Sequence, residues 1–381
     1  MHWTFSDEQR ALRDRALELA GELGRSDDLA ARDRDGVFSR DDFRRCAAWG
    51  VLGSHVDRRW GGRGRGAVDT VLILEAIGYG CRDNGLTLAL GGQMWSVQEP
   101  IEVYGSEEQK QRFLPRLCSG EWIGVHGVSE EHSGSDALAL QTTARRVDGG
   151  YVLDGRKCYI GMAPHADVAL VLANSDPEAG KWGVSAFLVE KGEGFSLSPP
   201  RAKSGTRTNP LGDLVFEQCF VPEENRLGGE GVGLSLFTHT IKWERAFIHA
   251  GHLGAMQRLL ERCFEYSRQR RQFGRPIGDF QAVSHRIAEM RLRQETARLL
   301  MYNVAAMKDR GLDASIECAM AKLHIAECLL ASATDAVRIH GARGYLEEFE
   351  IERELRDHLG GVIYAGTSDI QRNLIYDLLG R

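Results

Sequence analysis

Two stretches near the end of the chain, Ala282 to Lys308 and Ala314 to Ile339, each run without a single proline or glycine. Both are rich in Ala, Leu, Arg and Glu, the residues that lose least on entering a helix. Each outlasts the average globular helix of about 11–12 residues. Paired helices of this length bury their apolar stripes against one another, so the spacing predicts a C-terminal four-helix bundle over residues 229–381, with Pro276 its only proline.

The remainder divides by pattern. Residues 1–120 read as a helical domain. Ser6-Asp7-Glu8-Gln9 and Ser106-Glu107-Glu108-Gln109 both look like N-caps with acidic first turns, and Val68 to Ile77 and Leu86 to Tyr104 carry helical periodicity. Between them, Trp60 to Gly66 is a glycine-rich loop too irregular to cradle a phosphate. Residues 121–228 change to short strands. Val147 to Lys157 is a hairpin around Asp148-Gly149-Gly150, Val168–Ala173 and Val184–Val189 look like buried strands, and Leu214 to Val221 closes the set before Pro222. A compact β-domain of barrel-like kind is expected between two helical ones.

Composition narrows the function. A net charge of −6 argues against a nucleic-acid binder with an all-basic surface, although arginines cluster at Arg44-Arg45, Arg58-Arg59, Arg63/Arg65 and Arg268 to Arg275. The eight cysteines are scattered without CxxC or Cys/His ligand spacing, so free buried thiols are expected and no metal site. Met1 to Asp7 has no apolar leader and no run of 18 apolar residues occurs, which points to a cytoplasmic protein not embedded in a membrane.

Five motifs carry chemistry. Glu121 to Asp136 contains Val128-Ser129-Glu130 and ends in Gly134-Ser135-Asp136; Lys157 to Ala163 contains Tyr159 and Gly161; Arg268 to Val283 reads RQRRQFGRPIGDFQAV; His340 to Tyr345 is a glycine-containing turn; and Gly361 to Arg372 reads GVIYAGTSDIQR. Together with the helical, β, helical order, they resemble the acyl-CoA dehydrogenase family over nearly the whole chain. The resemblance implies FAD as cofactor, contacted by Val128, Ser129, Ser135, Tyr159, Gly161, Arg338, Gly341, Ala342 and Thr367. It also implies that Arg270, Gln272, Phe273 and Gln281 reach the FAD of a neighbouring subunit, which requires a homo-oligomer, expected as a tetramer. Glu131 and His132 stand where the family has Pro-Gly, Gly161 where it usually has a hydroxyl, and Arg338 where a glutamine is usual.

In many family members a glutamate directly before the Gly-Thr-Ser turn removes the substrate's α-proton. Here that place is Ala365, whose methyl group takes no proton. A few relatives, of the isovaleryl-CoA dehydrogenase kind, carry the base on an earlier helix, followed by Arg. The sequence has Trp243-Glu244-Arg245 there, so Glu244 is the expected base, with Trp243, Arg245 and Tyr364 lining the substrate. A carboxylate suits this task when the thioester carbonyl is polarised as the weakly acidic α-C–H is deprotonated.

Trp-Glu-Arg-Ala, Gln281 to Arg286, Ala336 to Ile339 and Gly161 further resemble the branch that dehydrogenates prolyl thioesters on carrier proteins toward pyrroles. That branch implies α,β-dehydrogenation of an acyl or aminoacyl thioester held on a phosphopantetheinylated carrier protein. Electrons would pass to an electron-transfer flavoprotein or to O2. Two other readings stand beside it: a short- or branched-chain acyl-CoA dehydrogenase acting on CoA thioesters, and a family-shaped scaffold without turnover, which Ala365 alone would suggest.

Overall fold

The computed structural model describes residues 4–23 and 28–380; Met1, His2 and Trp3 of the N-terminal stretch lie outside them. Among the described residues seven α-helices come first: α1 (Asp7–Glu22), α2 (Leu29–Asp35), α3 (Arg40–Trp49), α4 (Ala67–Gly80), α5 (Asn84–Gln93), α6 (Glu99–Tyr104) and α7 (Glu107–Cys118). Ser6 and Ser106 close capping boxes with Gln9 and Gln109, satisfying orphan N–H groups at the starts of α1 and α7. The run read as one helix over Leu86 to Tyr104 is broken by a π-turn at Met94–Gln98 between α5 and α6.

The strands follow: β1 (Gly124–Gly127), β2 (Thr143–Val147), β3 (Gly150–Gly161), β4 (Val168–Asn174), β5 (Val184–Glu190), β6 (Phe195–Leu197), β7 (Leu211–Pro222) and β8 (Arg226–Leu227). They form one sheet in the order β6-β7-β3-β2-β4-β5-β8, with β1 pairing parallel to β4. Asp148-Gly149 turns the β2–β3 hairpin, with Gly149 at φ 76° and Val147 opposite Gly150. In β4, Val168, Leu170 and Leu172 pack among Val97, Ile101, Phe113 and Leu236, while Ala169, Val171 and Ala173 face the cluster holding Tyr151, Phe187 and Phe216. Burial on both faces explains the strand's unbroken apolar run.

The C-terminal region contributes α8 (Gly233–Phe247), α9 (Ala250–Gln269), a hairpin of β9 (Arg271–Gln272) and β10 (Arg275–Pro276), α10 (Gln281–Asp309), α11 (Ser315–His340), α12 (Ala342–Tyr345), α13 (Ile351–Leu359) and α14 (Ser368–Leu379). Helix α9 lies hard against α4: a Cβ on Gly78 would come within 1.8 Å of Gly251 O, and one on Gly254 within 2.0 Å of Glu75 O. Glycine there sets the distance between the N-terminal helices and the bundle. All eight cysteines are buried and unpaired. Among the described residues no helix is long and apolar enough to cross a membrane.

Candidate active site

Helix α8 buries Leu236, Thr240, Trp243 and Phe247, a stripe at helical spacing. Glu244 follows Trp243 by one residue, about 100° around the axis, and so leaves the stripe's edge facing β1. Its Oε2 lies 3.5 Å from His126 Nδ1 and is buried without a hydrogen-bond partner among the described residues. Trp243 stacks on Phe247 (6.0 Å, 13°) beneath the Lys308 ammonium, so its ring packs the interior. Arg245 donates from Nε to Ile241 O at 3.0 Å, and burial lowers its guanidinium below the usual arginine range. Lys322 on α11, wholly inaccessible, is pushed down to about 8 by burial, with Arg245 adding to the effect against Glu327. Its Nζ has no partner among the described residues.

Two residues beyond His126 begins the Val128–Glu130 segment, and β3 clamps it. Ser129 O accepts from Cys158 N–H at 2.8 Å and Val128 O from Lys157 Nζ at 3.2 Å. Lys157 Nζ also donates to Glu130 Oε1 at 2.7 Å, and Glu130 accepts from Gln141 N, Thr142 N and Thr142 Oγ1. Burial opposes the Glu130 carboxylate, but Lys157 and these donors outweigh it and hold its carboxyl below the usual range. Ser133 Oγ bonds Asp136 O at 2.7 Å, which leaves Ser135 exposed on the loop between them.

The clamp leads directly to Tyr159. The β3–β7 register slips between Lys157 and Ile160, a bulge that puts Tyr159 at φ 62° and turns its ring outward, 49% exposed. Its N–H donates to Asp213 Oδ1 at 3.3 Å, and Arg201 covers its ring at 5.0 Å. Burial alone would raise the Asp213 carboxyl; hydrogen bonds from Arg201, Arg156 and the Tyr159 N–H outweigh it and bring it down to about 2. Two residues on is Gly161, where a Cβ would lie 3.2 Å from Asn209 Oδ1, a buried acceptor with no hydrogen-bond partner among the described residues.

A second group gathers at the far ends of α9 and α11. Arg270, Gln272 and Phe273 stand on the β9–β10 hairpin, and Gln281 opens α10; all are exposed. Phe273 is 94% exposed at φ 49°. Tyr266, whose O accepts the Arg270 N–H, stacks on His340 at 4.4 Å, which brings Arg338, Gly341 and Ala342 beside the hairpin's root. Gly341 (φ 60°) has no atom within 4 Å of a built Cβ, so backbone there is open to a ligand. His340 Nδ1 bonds Ala336 O at 2.9 Å, a structural role.

The third group is the turn before α14. Ala365 sits at φ 53° and Gly366 at φ 84°, and Gln371 Nε2 binds both carbonyls. Thr367 Oγ1 is the N-cap of α14, accepting from Ile370 N at 3.2 Å. Tyr364 stacks on His249 (5.4 Å) and shares a 3.3 Å hydrogen bond with His252 Nε2; burial pushes its phenol far up. His249 and His252 share a 2.8 Å hydrogen bond and are both driven well below the usual range by burial. Since His249 stands five residues after Glu244, this turn is held against the end of α8.

Sequence reasoning did not single out His126, Glu130 or Lys157. The quoted motifs contain all three, but only their burial distinguishes them. His55, Glu99 and Glu102 also converge in the interior; Lys308 Nζ, 2.5 Å from Glu99 Oε1, already supplies the positive charge there.

The family models match throughout: acyl-CoA dehydrogenase N-terminal domain at residues 6–121, middle domain at 126–219 and C-terminal domain at 231–379. An L-prolyl-[peptidyl-carrier protein] dehydrogenase of Pseudomonas fluorescens is 45% identical over 332 residues, 87% of each chain. The crystal structure of the prolyl acyl carrier protein oxidase AnaB superposes with TM-score 0.97 at 41% identity, covering 99% of this chain and 100% of that one. The structure described as PigA with FAD and proline gives TM-score 0.96 at 36% identity, covering 100% and 99%. The chain belongs to the acyl-CoA dehydrogenase family.

Proposed function

We propose that this protein is an FAD-dependent dehydrogenase of a prolyl group held as a thioester on a carrier protein, with Glu244 as its base. One observation supports this most: Glu244 lies against the strand that leads into the Val128–Ser129 loop, while Ala365 offers only a methyl group. The relatives named for prolyl-carrier chemistry, and the one described with FAD and proline, support the substrate and cofactor.

The residues fit FAD. Tyr159 is turned outward by a bulge, Asn209 Oδ1 is an unpaired acceptor beside Gly161, and Gly341 leaves backbone uncovered. Val128, Ser129, Tyr159 and Gly161 would hold the redox ring, with Ser135 and Thr367 nearby. Arg338, Gly341 and Ala342, with Arg270, Gln272, Phe273 and Gln281 from a neighbouring subunit, would hold the remainder. Neither Arg270 nor Arg338 has an ion pair among the described residues, which leaves both free for phosphate. When bound, FAD accepts the hydride that leaves the β-carbon. An aromatic side chain as exposed as Phe273 calls for a covering partner, which fits a homo-oligomer, a tetramer in this reading.

Glu244 takes the α-proton. Arg245 and Tyr364 border the substrate, and packed Trp243 forms the wall behind it. The test is anaerobic flavin bleaching by prolyl carrier, prolyl-CoA and a short acyl-CoA. Bleaching by the prolyl carrier, lost in Glu244→Gln, supports the reading; bleaching by the acyl-CoA alone refutes it.

A further inference from the structure

Strand β1 directs His126 into the seam between the β-domain and the helices. Alternation puts Gly124 and His126 on one face and Gly127 on the other. A Cβ on Gly124 would meet Val97 and Leu117 at 2.9 Å, whereas one on Gly127 would meet Leu214 and Lys157 at 3.1 and 3.3 Å. His126 therefore points to the side of Val97, where α8 brings Glu244. Gln93 Oε1 ties α5 to this strand through Gly124 N–H at 2.8 Å, and the preceding residue, Gly92, has no atom within 4 Å of a built Cβ.

His126 Nδ1 stands 3.5 Å from Glu244 Oε2, and His126 Nε2 is buried without a hydrogen-bond partner among the described residues. A carboxylate acting as base is ionised and only accepts, so the Nδ1 facing it carries the proton. In the neutral imidazole Nε2 is then an acceptor in need of a donor.

We propose, building on the prolyl-thioester reading, that His126 Nε2 accepts a hydrogen bond from the ring N–H of the substrate. His126 thereby selects aminoacyl over plain acyl thioesters. The ring nitrogen is one bond from the carbon that Glu244 deprotonates, so an imidazole beside Glu244 reaches it. That N–H survives loss of the α- and β-hydrogens, and the same contact holds the half-oxidised ring. A hydrocarbon acyl group puts carbon there and leaves a buried acceptor unpaired, which disfavours it by roughly 5- to 150-fold.

The test compares carriers loaded with prolyl and with cyclopentanecarbonyl, the same ring with CH2 in place of NH. Stopped-flow bleaching gives rate and saturation for each. Calorimetry with the Glu244→Gln enzyme gives binding without turnover. Prolyl should be favoured by roughly 5- to 150-fold, in bleaching of the wild-type enzyme and in binding to the Glu244→Gln enzyme. His126→Phe should remove that preference, and His126→Gln, which keeps an acceptor, should restore part of it. A wild-type ratio near one overturns the proposal, and this ratio decides even if His126→Phe does not fold. Equal slowing of both carriers in His126→Phe also overturns it, because His126 then only positions Glu244. If neither carrier bleaches the flavin and a short acyl-CoA does, the proposed function itself falls and this contact with it.

Discussion

Lys157 Nζ donates to Glu130 Oε1 across 2.7 Å, and neither side chain is open to water. The same ammonium binds Val128 O, so one buried charge pair fixes the loop assigned to the flavin. Removing one partner of such a pair strands the other charge, which typically costs about 3–5 kcal/mol. Lys157→Met should therefore lower Tm strongly and release flavin, whereas Lys157→Met with Glu130→Gln should recover much of the loss. Thermal unfolding followed by flavin fluorescence checks this; a single variant of wild-type stability would show that the pair is dispensable.

Glu244→Gln should keep fold and flavin yet lose bleaching by prolyl carrier. A positioned base supplies about 10²- to 10⁴-fold of rate, and the isosteric amide cannot take the proton. Adding Ala365→Glu should return only part of the turnover, because a ~1 Å misplacement can cost as much as 10²-fold. Single-turnover bleaching measures both; unchanged reduction in Glu244→Gln moves the base elsewhere.

Much of the fold is legible in the sequence, and the reasons are local. The proline- and glycine-free stretches give helices over Gln281–Asp309 and Ser315–His340, and Asp148-Gly149 gives its hairpin. The π-turn at Met94–Gln98 is hidden because it shifts hydrogen bonds without interrupting the apolar pattern. The bulge that turns Tyr159 outward is hidden too, since its extra residue shows only against β7. Resemblance directs attention to Glu244, but His126 is separated from it by more than a hundred positions, and nothing in its residue type marks the pairing.

Acid should weaken the fold through histidines that burial keeps neutral. His249 and His252 lie well below the usual range and His55 is lowered to about 4, burial being the first cause in each. Unfolding frees these groups to bind protons near pH 6.5, so stability falls as pH drops below about 6.5. Asp357 opposes this: burial raises its carboxyl to about 6, a contribution present at low pH and lost as pH rises through about 6. Burial lowers His165, His324 and His340 as well, so the histidines outweigh the one aspartate and unfolding below about pH 6 should take up protons. Urea midpoints at pH 7, 6 and 5 measure the slope; midpoints that do not fall toward pH 5 contradict it.

Lys322 should prove costly to stability. A buried ammonium with no hydrogen bond among the described residues gives up its hydration with only partial return from Glu327, and Met fills similar volume without charge. Lys322→Met is expected to raise Tm with flavin binding intact. A stabilised variant that still bleaches gives the lysine no part in the chemistry; a destabilised one reveals an unseen partner.

The carrier itself should matter most at the arginine loop. Arg63 N–H and Arg65 N–H pin this loop to Gly53 O and Ser54 O, and Arg58, Arg63 and Arg65 line a groove with Asp69. Burial, then Arg63, lowers the Arg65 guanidinium, with Asp69 opposing and Arg15 and Arg58 adding to the effect. The charge is unbalanced, and an acidic carrier domain would be steered toward it. Arg63→Glu or Arg65→Glu should slow association with prolyl carrier at low salt while leaving the saturated bleaching rate unchanged. The difference should shrink as salt rises, since screening at physiological ionic strength acts beyond about 8 Å. Prolyl-CoA, which lacks the carrier surface, should reduce the flavin more slowly in the wild type, because remote contacts help orient the reacting carbons. Stopped-flow runs with matched prolyl carrier, prolyl-CoA and short acyl-CoA across a salt series measure all of this. Equal or faster bleaching by the short acyl-CoA would sink the carrier reading and favour an acyl-CoA dehydrogenase of ordinary kind.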